Sequence, residues 1–399
     1  MNTTPNANRL HIGIFGKTNS GKSSITNALT GQEVSIVSSI KGTTTDPVSK
    51  SMEFLPIGPV VFIDTAGVED KSDLGEAREE KTLKVLDKID LALYVIDSTE
   101  YDNENEYKIL NILNKRNIPY IKVFNKVDLI QNNELERLKD RNRNSLFLSA
   151  LNNIGFDKLK ETLIQKLKST EKEETLIGDI LPYGSTAILV VPIDSEAPKG
   201  RLILPQVQLI RDALDHGIKS YVVRDTELKE ALQDLKKVDL VITDSKDFKK
   251  VSNIVPSTIN LTSFSILMAR QKGDLKQFIE GVNKINKLSR MSKVLIMESC
   301  AHNTSHEDIG TIKIPKLLNK YLGFDLNYEF SMGEDFKEKD IQKYDFVIHC
   351  GSCMLTRNIM KRRMEICKEN NVSITNYGII LAYLTDVLER SIKIFRKEL

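Results

Sequence analysis

The chain has 399 residues, 28% of them charged, a formal net charge of +2 at pH 7 and four cysteines. That length predicts two to three domains, each able to bury its own core. The near-neutral balance excludes an electrostatic mandate for nucleic acid or an acidic membrane surface, the sparse cysteines exclude a disulfide framework, and no apolar stretch approaches a membrane span. With a polar start, Met1–Leu10, that lacks a secretory apolar core, the chain is expected to be reduced and cytoplasmic.

The first predicted strand, His11–Phe15, runs directly into Gly16-Lys17-Thr18-Asn19-Ser20-Gly21-Lys22-Ser23, and Ser23–Leu29 follows as a helix. A P-loop needs this strand–loop–helix context. Its glycines let backbone N–H groups wrap phosphates, Lys22 reaches the β- and γ-oxygens, and Ser23 ligates Mg²⁺. Gly16, Asn19, Ser20, Gly21, Lys22, Ser23 and Ser24 are therefore candidate nucleotide-binding residues. Lys41-Gly42-Thr43-Thr44-Thr45-Asp46 suits a first switch whose threonine completes the Mg²⁺ shell. Asp64-Thr65-Ala66-Gly67 follows the apolar strand Val60–Ile63; Asp64 would hold the metal through water, and the Gly67 N–H would sense the γ-phosphate.

Asn125-Lys126-Val127-Asp128 ends the strand around Tyr120–Phe124. The Asp128 carboxylate can accept from both guanine N1–H and the exocyclic amine, which excludes adenine. Ser149-Ala150-Leu151 would close over the base. Five elements in order predict a site for GTP or GDP with Mg²⁺, in which Lys22, Thr44, Asp64 and Gly67 carry catalysis. Val68 stands where a Ras-like enzyme carries the glutamine that orients water, so hydrolysis is expected to be slow or to use another device. Glu69, Asp70 and Glu76 are candidates for aligning water, in a charged loop that equally reads as solvated. Asn19 and Gly42-Thr43-Thr44 resemble the potassium-activated tRNA-modification GTPases related to Era. That resemblance implies K⁺ near Asn19 and Thr43, with Thr44 on Mg²⁺.

Leu159–Lys168 is predicted as a closing helix, and the charged run Lys168–Glu174 as a linker. Beyond it come a strand at Thr186–Val191, a helix over Gln206–Leu214, a strand at Tyr221–Val223, a helix over Leu228–Leu235, and strands at Asp239–Thr243 and Thr258–Leu261. This alternation predicts a small parallel α/β unit. It holds no catalytic constellation; Asp194 and His216 read as cap or surface residues. By elimination the unit is a candidate for assembly, pairing sheets across a dimer.

The last third carries all four cysteines, and three of them fall in one pattern. The strand Lys293–Met297 is followed by Cys300 and His302; the strand Phe346–Ile348 ends straight into His349-Cys350-Gly351-Ser352-Cys353. A helix over Arg357–Lys368, a strand at Val372–Thr375 and a helix over Ile379–Leu388 complete the pattern. Ligands gather outside the carboxyl ends of strands in an open parallel sheet, so the two halves can converge across the 46 residues between His302 and His349. Three thiolates suit either a [4Fe–4S] cluster or structural zinc. The Cys-x-His half is too tight for both residues to chelate one tetrahedral ion, which favours the cluster. Glu298, His302 and His349 are candidates for its fourth ligand. The helix after Cys353 would aim a positive N-terminus at an anionic site, and Cys367 reads as a core residue.

Cys300-x-His302 and, after that gap, His349-Cys350-x-x-Cys353, in tandem with such a GTPase, resemble the [FeFe]-hydrogenase maturation GTPases, the HydF family, over the whole length. The resemblance implies three α/β domains: a P-loop GTPase domain (1–170), a small Rossmann-like dimerisation domain (178–263) and a Rossmann-like [4Fe–4S] domain (264–399). It further implies a homodimeric scaffold that receives a diiron precursor made with radical-SAM maturases and delivers it to apo-[FeFe]-hydrogenase, with no membrane or nucleic acid partner. Arg357, Lys361, Arg362 and Arg363 would meet an anionic precursor or an acidic partner, or form a solvated helix face. Two other classes compete: an RNA-modification or ribosome-assembly GTPase with structural zinc, and a redox-sensing GTPase.

Overall fold

The computed structural model describes residues 4–31, 48–65, 82–100, 103–170, 175–193, 200, 202–299, 308–333, 336 and 338–399. The chain divides into two compact units, Met1–Glu173 and Glu174–Leu399.

In the first unit the strands are β1 (Leu10–Phe15), β2 (Val48–Phe54), β3 (Gly58–Asp64), β4 (Leu91–Asp97), β5 (Tyr120–Asn125) and β6 (Ser145–Phe147). They form one sheet in the order β2-β3-β1-β4-β5-β6, parallel except for the β2–β3 hairpin. Successive strand residues point to opposite faces, so β1 sends Ile12 and Ile14 to a core with Ile25, Leu159 and Leu163, and Phe15 to a second core with Tyr94, Leu113 and Phe124. Helices Lys22–Thr30, Asn103–Lys115, Asn132–Arg141 and Phe156–Thr170 belong to this unit. The chain order reverses at β1, which has β3 on one side and β4 on the other, and a crevice for ligands forms at such a point.

The second unit has two four-stranded parallel sheets. One runs β10-β9-β7-β8, from β7 (Thr186–Val190), β8 (Lys219–Val223), β9 (Leu240–Thr243) and β10 (Asn260–Ser263). The other runs β12-β11-β13-β14, from β11 (Lys293–Glu298), β12 (Asn327–Met332), β13 (Phe346–His349) and β14 (Ser373–Asn376). One continuous apolar core spans both, joining Ile188 and Val241 to Phe278, Val347 and Ile380. The helix Phe264–Lys272 lies between them, with Phe264, Ile266, Leu267, Met268 and Ala269 all buried. It packs on the helices Leu204–Asp215, Arg357–Glu369 and Tyr377–Leu384.

Two expected elements differ, and some strands were not foreseen. The strand expected at Thr258–Leu261 begins two residues later, because Ile259 N–H closes a turn onto Pro256 O. The helix expected over Ile379–Leu388 ends at Leu384, where Asp386 takes a left-handed conformation (φ 60) before a short helix Leu388–Ile392. The strands β2, β4, β6 and β12 were not expected; β2 and β12 are edge strands whose residues are nearly all exposed or half-buried.

Candidate functional site

The P-loop is shaped by close backbone approach. Gly16 has φ 139, and a Cβ there would stand 2.1 Å from Val95 O; Gly21 has φ 94, and its Cβ would meet Asn125 Nδ2 at 2.1 Å. Only glycine fits either place. Asn19 is exposed and left-handed (φ 64). Lys22 opens the helix Lys22–Thr30 with its side chain 5% exposed, and Nζ donates to Gly16 O (2.5 Å) and Lys17 O (2.7 Å). Ser24 is exposed one residue further along than Ser23.

Ser23 Oγ donates to Asp64 Oδ2 at 2.6 Å. Asp64 Oδ1 and Ser20 Oγ are buried and have no hydrogen-bond partner among the described residues. A hydroxyl and a buried carboxylate in mutual reach, with one carboxylate oxygen unsatisfied, fit a hard cation that takes oxygen ligands. Mg²⁺ beside a phosphate meets that description.

Asn125, 2% exposed, joins three segments. Its Nδ2 donates to Ser20 O (2.9 Å), and its Oδ1 accepts from Ala150 N (3.0 Å). Ser149 is fully buried, and its Oγ accepts from Asn152 N. Lys126 is left-handed (φ 64) and begins the turn Val127–Leu129 that presents the half-exposed Asp128. The loops after β1, β5 and β6 thus meet at the carboxyl edge of the sheet. The expected switch residues Thr43, Thr44 and Gly67, with Val68, Glu69, Asp70 and Glu76, lie outside the described residues.

In the second unit β11 and β13 lie side by side, and both expected halves of the thiol pattern follow their carboxyl ends. Cys300 and His302 lie outside the described residues. Cys350 N donates to Met297 O (2.9 Å). Its Sγ accepts from Ser299 N (3.2 Å) and lies 3.1 Å from Ser299 Oγ, so the Cys350 sulfur stands at the residue that precedes Cys300. Ser352 is buried with a left-handed backbone (φ 58). Thr356 caps the helix Arg357–Glu369 through Ile359 N. Among the described residues Cys350, Cys353 and Cys367 form no disulfide. Among the described residues no three His, Cys, Asp or Glu side chains gather as a metal site. Cys367 is a core residue, its thiol pushed up to about 12 by burial.

His349, a candidate fourth ligand, is fully buried, and its nitrogens are both engaged. Nε2 accepts from Arg363 Nη1 (2.7 Å), and Nδ1 lies 3.1 Å from Cys350 O and 3.1 Å from Ser352 Oγ. Burial, then the Arg363 charge, drives its pKa down to about 3, so the ring is neutral and acts as a strut. Glu298, 7% exposed at the end of β11, accepts from Tyr377 OH (3.0 Å). Burial and the Glu298 carboxylate push that phenol well above its ordinary value.

The basic run on the last long helix is not one solvated face. Arg363 is 2% exposed and stacks over Phe336, Arg362 pairs with Glu338, Arg357 is half-buried and held below its ordinary pKa by burial, and Lys361 is exposed. Motif reasoning also misses Asn376. Its Nδ2 donates to Cys350 O (3.3 Å), while its Oδ1 accepts from Ser265 Oγ (3.1 Å) and caps the helix Tyr377–Leu384 through Gly378 N (2.7 Å). Lys272 Nζ donates to Leu355 O (3.0 Å), so the helix Phe264–Lys272 is tied to both sides of the thiol loop. His216 sits at a helix end, with Nδ1 2.8 Å from Asp212 O, and Asp194 lies outside the described residues. No helix among the described residues is long and apolar enough to cross a membrane.

Residues 11–126 match the family model of the 50S ribosome-binding GTPase, residues 176–273 that of the hydrogen maturase F dimerization domain, and residues 276–394 that of the hydrogen maturase F tetramerization domain. Among curated proteins the chain is similar to the tRNA modification GTPase MnmE of Mesoplasma florum, at 36% identity over 175 residues, 44% of this chain and 37% of that one. It is similar also to the MnmE of Francisella tularensis subsp. novicida, at 34% over 170 residues, 41% of this chain and 36% of that one. The chain spans little more than a third of the length of these curated relatives. Among solved structures it is similar to the G domain of the T. maritima FeoB iron transporter, with a TM-score of 0.31 and 23% identity over 40% of this chain and 99% of that one. The similarity to MnmE is confined to a GTPase-sized part of the chain, whereas the two maturase models together take in more than half of it and cover both sheets of the second unit. The chain carries a GTPase domain followed by two maturase domains, and it belongs to the hydrogen maturase F (HydF) family.

Proposed function

We propose that the protein is an [FeFe]-hydrogenase maturation factor: a GTP-hydrolysing scaffold that carries a [4Fe–4S] cluster, receives a diiron precursor and passes it to apo-hydrogenase. The observation that carries this reading is the placement of Cys350-x-x-Cys353 at the carboxyl end of β13, with the Cys350 sulfur held by Ser299 at the brink of Cys300. Cys300, Cys350 and Cys353 would hold the cluster, with Glu298 or His302 near the fourth position. The donor set fits: three thiols belong to the family's pattern, and N–H and O–H donors aimed at a sulfur stabilise its thiolate. Bound there, the cluster would supply an anionic anchoring site for the precursor.

In the GTPase domain the chain's own groups divide the work. The loop amides and Lys22 bind phosphates, Ser23 with Thr44 and Asp64 holds Mg²⁺, Asp128 selects guanine, and Ser149 and Ala150 close over the base. Gly67 senses the γ-phosphate, and K⁺ beside Asn19 and Thr43 stands in for an arginine finger. Hydrolysis then serves as a gate: switch loops order around the γ-phosphate and relax once it leaves. The dimerization and tetramerization models support an oligomer; we assign the sheet β10-β9-β7-β8 to a homodimer within a domain at 178–263, between a GTPase domain at 1–170 and a cluster domain at 264–399. The partners are apo-hydrogenase and the radical-SAM maturases, in the cytoplasm, without nucleic acid.

The test is hydrogenase activation in vitro. Protein loaded with the diiron precursor should activate apo-[FeFe]-hydrogenase, and Cys350→Ala should reduce activation by at least about a hundredfold. Activation unchanged by Cys350→Ala would refute the scaffold role.

A further inference from the structure

The end of β4 is bolted to the start of the guanine-selective segment. Asp97 and Asn125 are partners in the β4–β5 register. Asp97 Oδ2 pairs with Lys126 Nζ at 2.5 Å, and Asp97 Oδ1 accepts from Thr99 N (2.9 Å) and Thr99 Oγ1 (2.7 Å). The next residue, Ser98, donates from both its backbone N–H (3.0 Å) and its Oγ (2.6 Å) to Asn125 O. Two consecutive residues at the end of β4, Asp97 and Ser98, therefore grip two consecutive residues at the end of β5, Lys126 and Asn125, while Thr99 braces the Asp97 carboxylate.

The gripped residues are not ordinary. Lys126 is a non-glycine in the left-handed region (φ 64), a conformation an L-residue keeps only where its surroundings over-determine it. Asn125 carries the bonds to Ser20 O and Ala150 N, and Asp128 lies two residues beyond Lys126 in a turn of only three residues. Any relaxation of Lys126 toward an ordinary conformation swings that turn. Side chains at 14% and 30% exposure keep the Asp97–Lys126 pair partly out of water. Burial opposes the charge on Asp97, but the Lys126 ammonium and the Thr99 donors outweigh it and hold the carboxyl below its ordinary pKa. Asp97 is ionised at neutral pH.

We infer that Asp97 is a positioning residue for guanine recognition: by anchoring the Lys126 ammonium and the Thr99 turn, it fixes the left-handed Lys126 and so aims the Asp128 carboxylate at the base. This rests on the guanine-binding role given to Asp128. Asp97 does not touch the nucleotide; it acts through Lys126. A carboxylate that merely stapled two strands together would affect stability and leave base discrimination alone, which separates the two roles.

The experiment measures fluorescent GDP and IDP affinities for the full chain as wild type, Asp97→Asn, Asp97→Glu and Asp128→Ala. Inosine lacks the exocyclic amine, so the GDP-to-IDP ratio reports how well Asp128 is aimed. Asp97→Asn keeps the side-chain volume, so it tests the charge even if a truncation misfolds. It should weaken GDP about tenfold while IDP weakens less, so the ratio falls toward that of Asp128→Ala, and Asp97→Glu should restore part of it. A wild-type ratio in Asp97→Asn would overturn the proposal, as would an equal loss for both nucleotides. Failure of the underlying reading has a different signature: the wild type itself would not distinguish GDP from IDP, or Asp128→Ala would leave its preference intact.

Discussion

Asn19 shows how much a single position can specify. It is left-handed and exposed at the rim of the phosphate loop, between the half-buried Lys17 carbonyl that accepts from Lys22 and the buried Ser20 hydroxyl. A side-chain carbonyl at that rim is a hard oxygen donor of the kind a monovalent cation takes. Since Val68 has no group to orient water, a cation there would supply the charge that the transition state needs. Exchanging K⁺ for Na⁺ should slow GTP hydrolysis by at least about tenfold, and Asn19→Ala should make the two salts equivalent. Equal wild-type rates in both salts would remove the potassium assignment. Residues of this kind are legible because their chemistry is type-specific: no other pattern demands Gly16, Gly21, Lys22 and Ser23 together. Asp97, Ser299 and Asn376 are illegible for the opposite reason. Each is an ordinary polar residue, and its role arises only when strand register brings Asp97 beside Asn125 or Asn376 beside His349.

At the scale of elements, the helix Leu275–Val282 sets the back of the thiol-bearing sheet. Gly281 lies so close to β14 that an added Cβ would stand 1.9 Å from Ile374 O, and Thr375 Oγ1 donates to Phe278 O at 3.0 Å. Gly281→Ala must push the helix off the strand that ends in Asn376, and with it loosen the hold on Cys350 O. Overpacking at such a contact costs about 2–3 kcal/mol, so urea denaturation of the variant should show that loss; a midpoint equal to wild type would mean the helix yields freely. Buried elements such as β3, β7 and β13 were readable from the sequence because they hold continuous apolar runs. The edge strand β12 was not, since it presents Tyr328, Phe330 and Met332 among polar neighbours and is exposed along most of its length. The basic run at Arg357–Arg363 misled for the same reason: charge predicts a wet face, yet Arg363 is buried behind His349, where only the folded sheet supplies its acceptor.

At the scale of the whole molecule, the sequence reading and the structure partition the chain by different criteria. Composition separates an assembly module from a thiol-bearing module, whereas packing merges their two sheets in one continuous core within Glu174–Leu399. Two clamps reinforce that merger: Arg270 pairs with both Asp179 and Glu398, and Arg390 donates to Ser252 O, Val255 O and Pro256 O. On the proposed reading, in which this sheet pairs subunits and the thiol loop holds a cluster, the shared core would let subunit pairing act on the cluster site through packed side chains. That account stands on the site being a cluster. Anaerobic iron and sulfide analysis with EPR, on reconstituted wild type and Cys353→Ala, tests it most directly. The account predicts roughly four irons and four sulfides per chain, with a reduced-cluster signal that the variant loses. One zinc per chain without sulfide would contradict it.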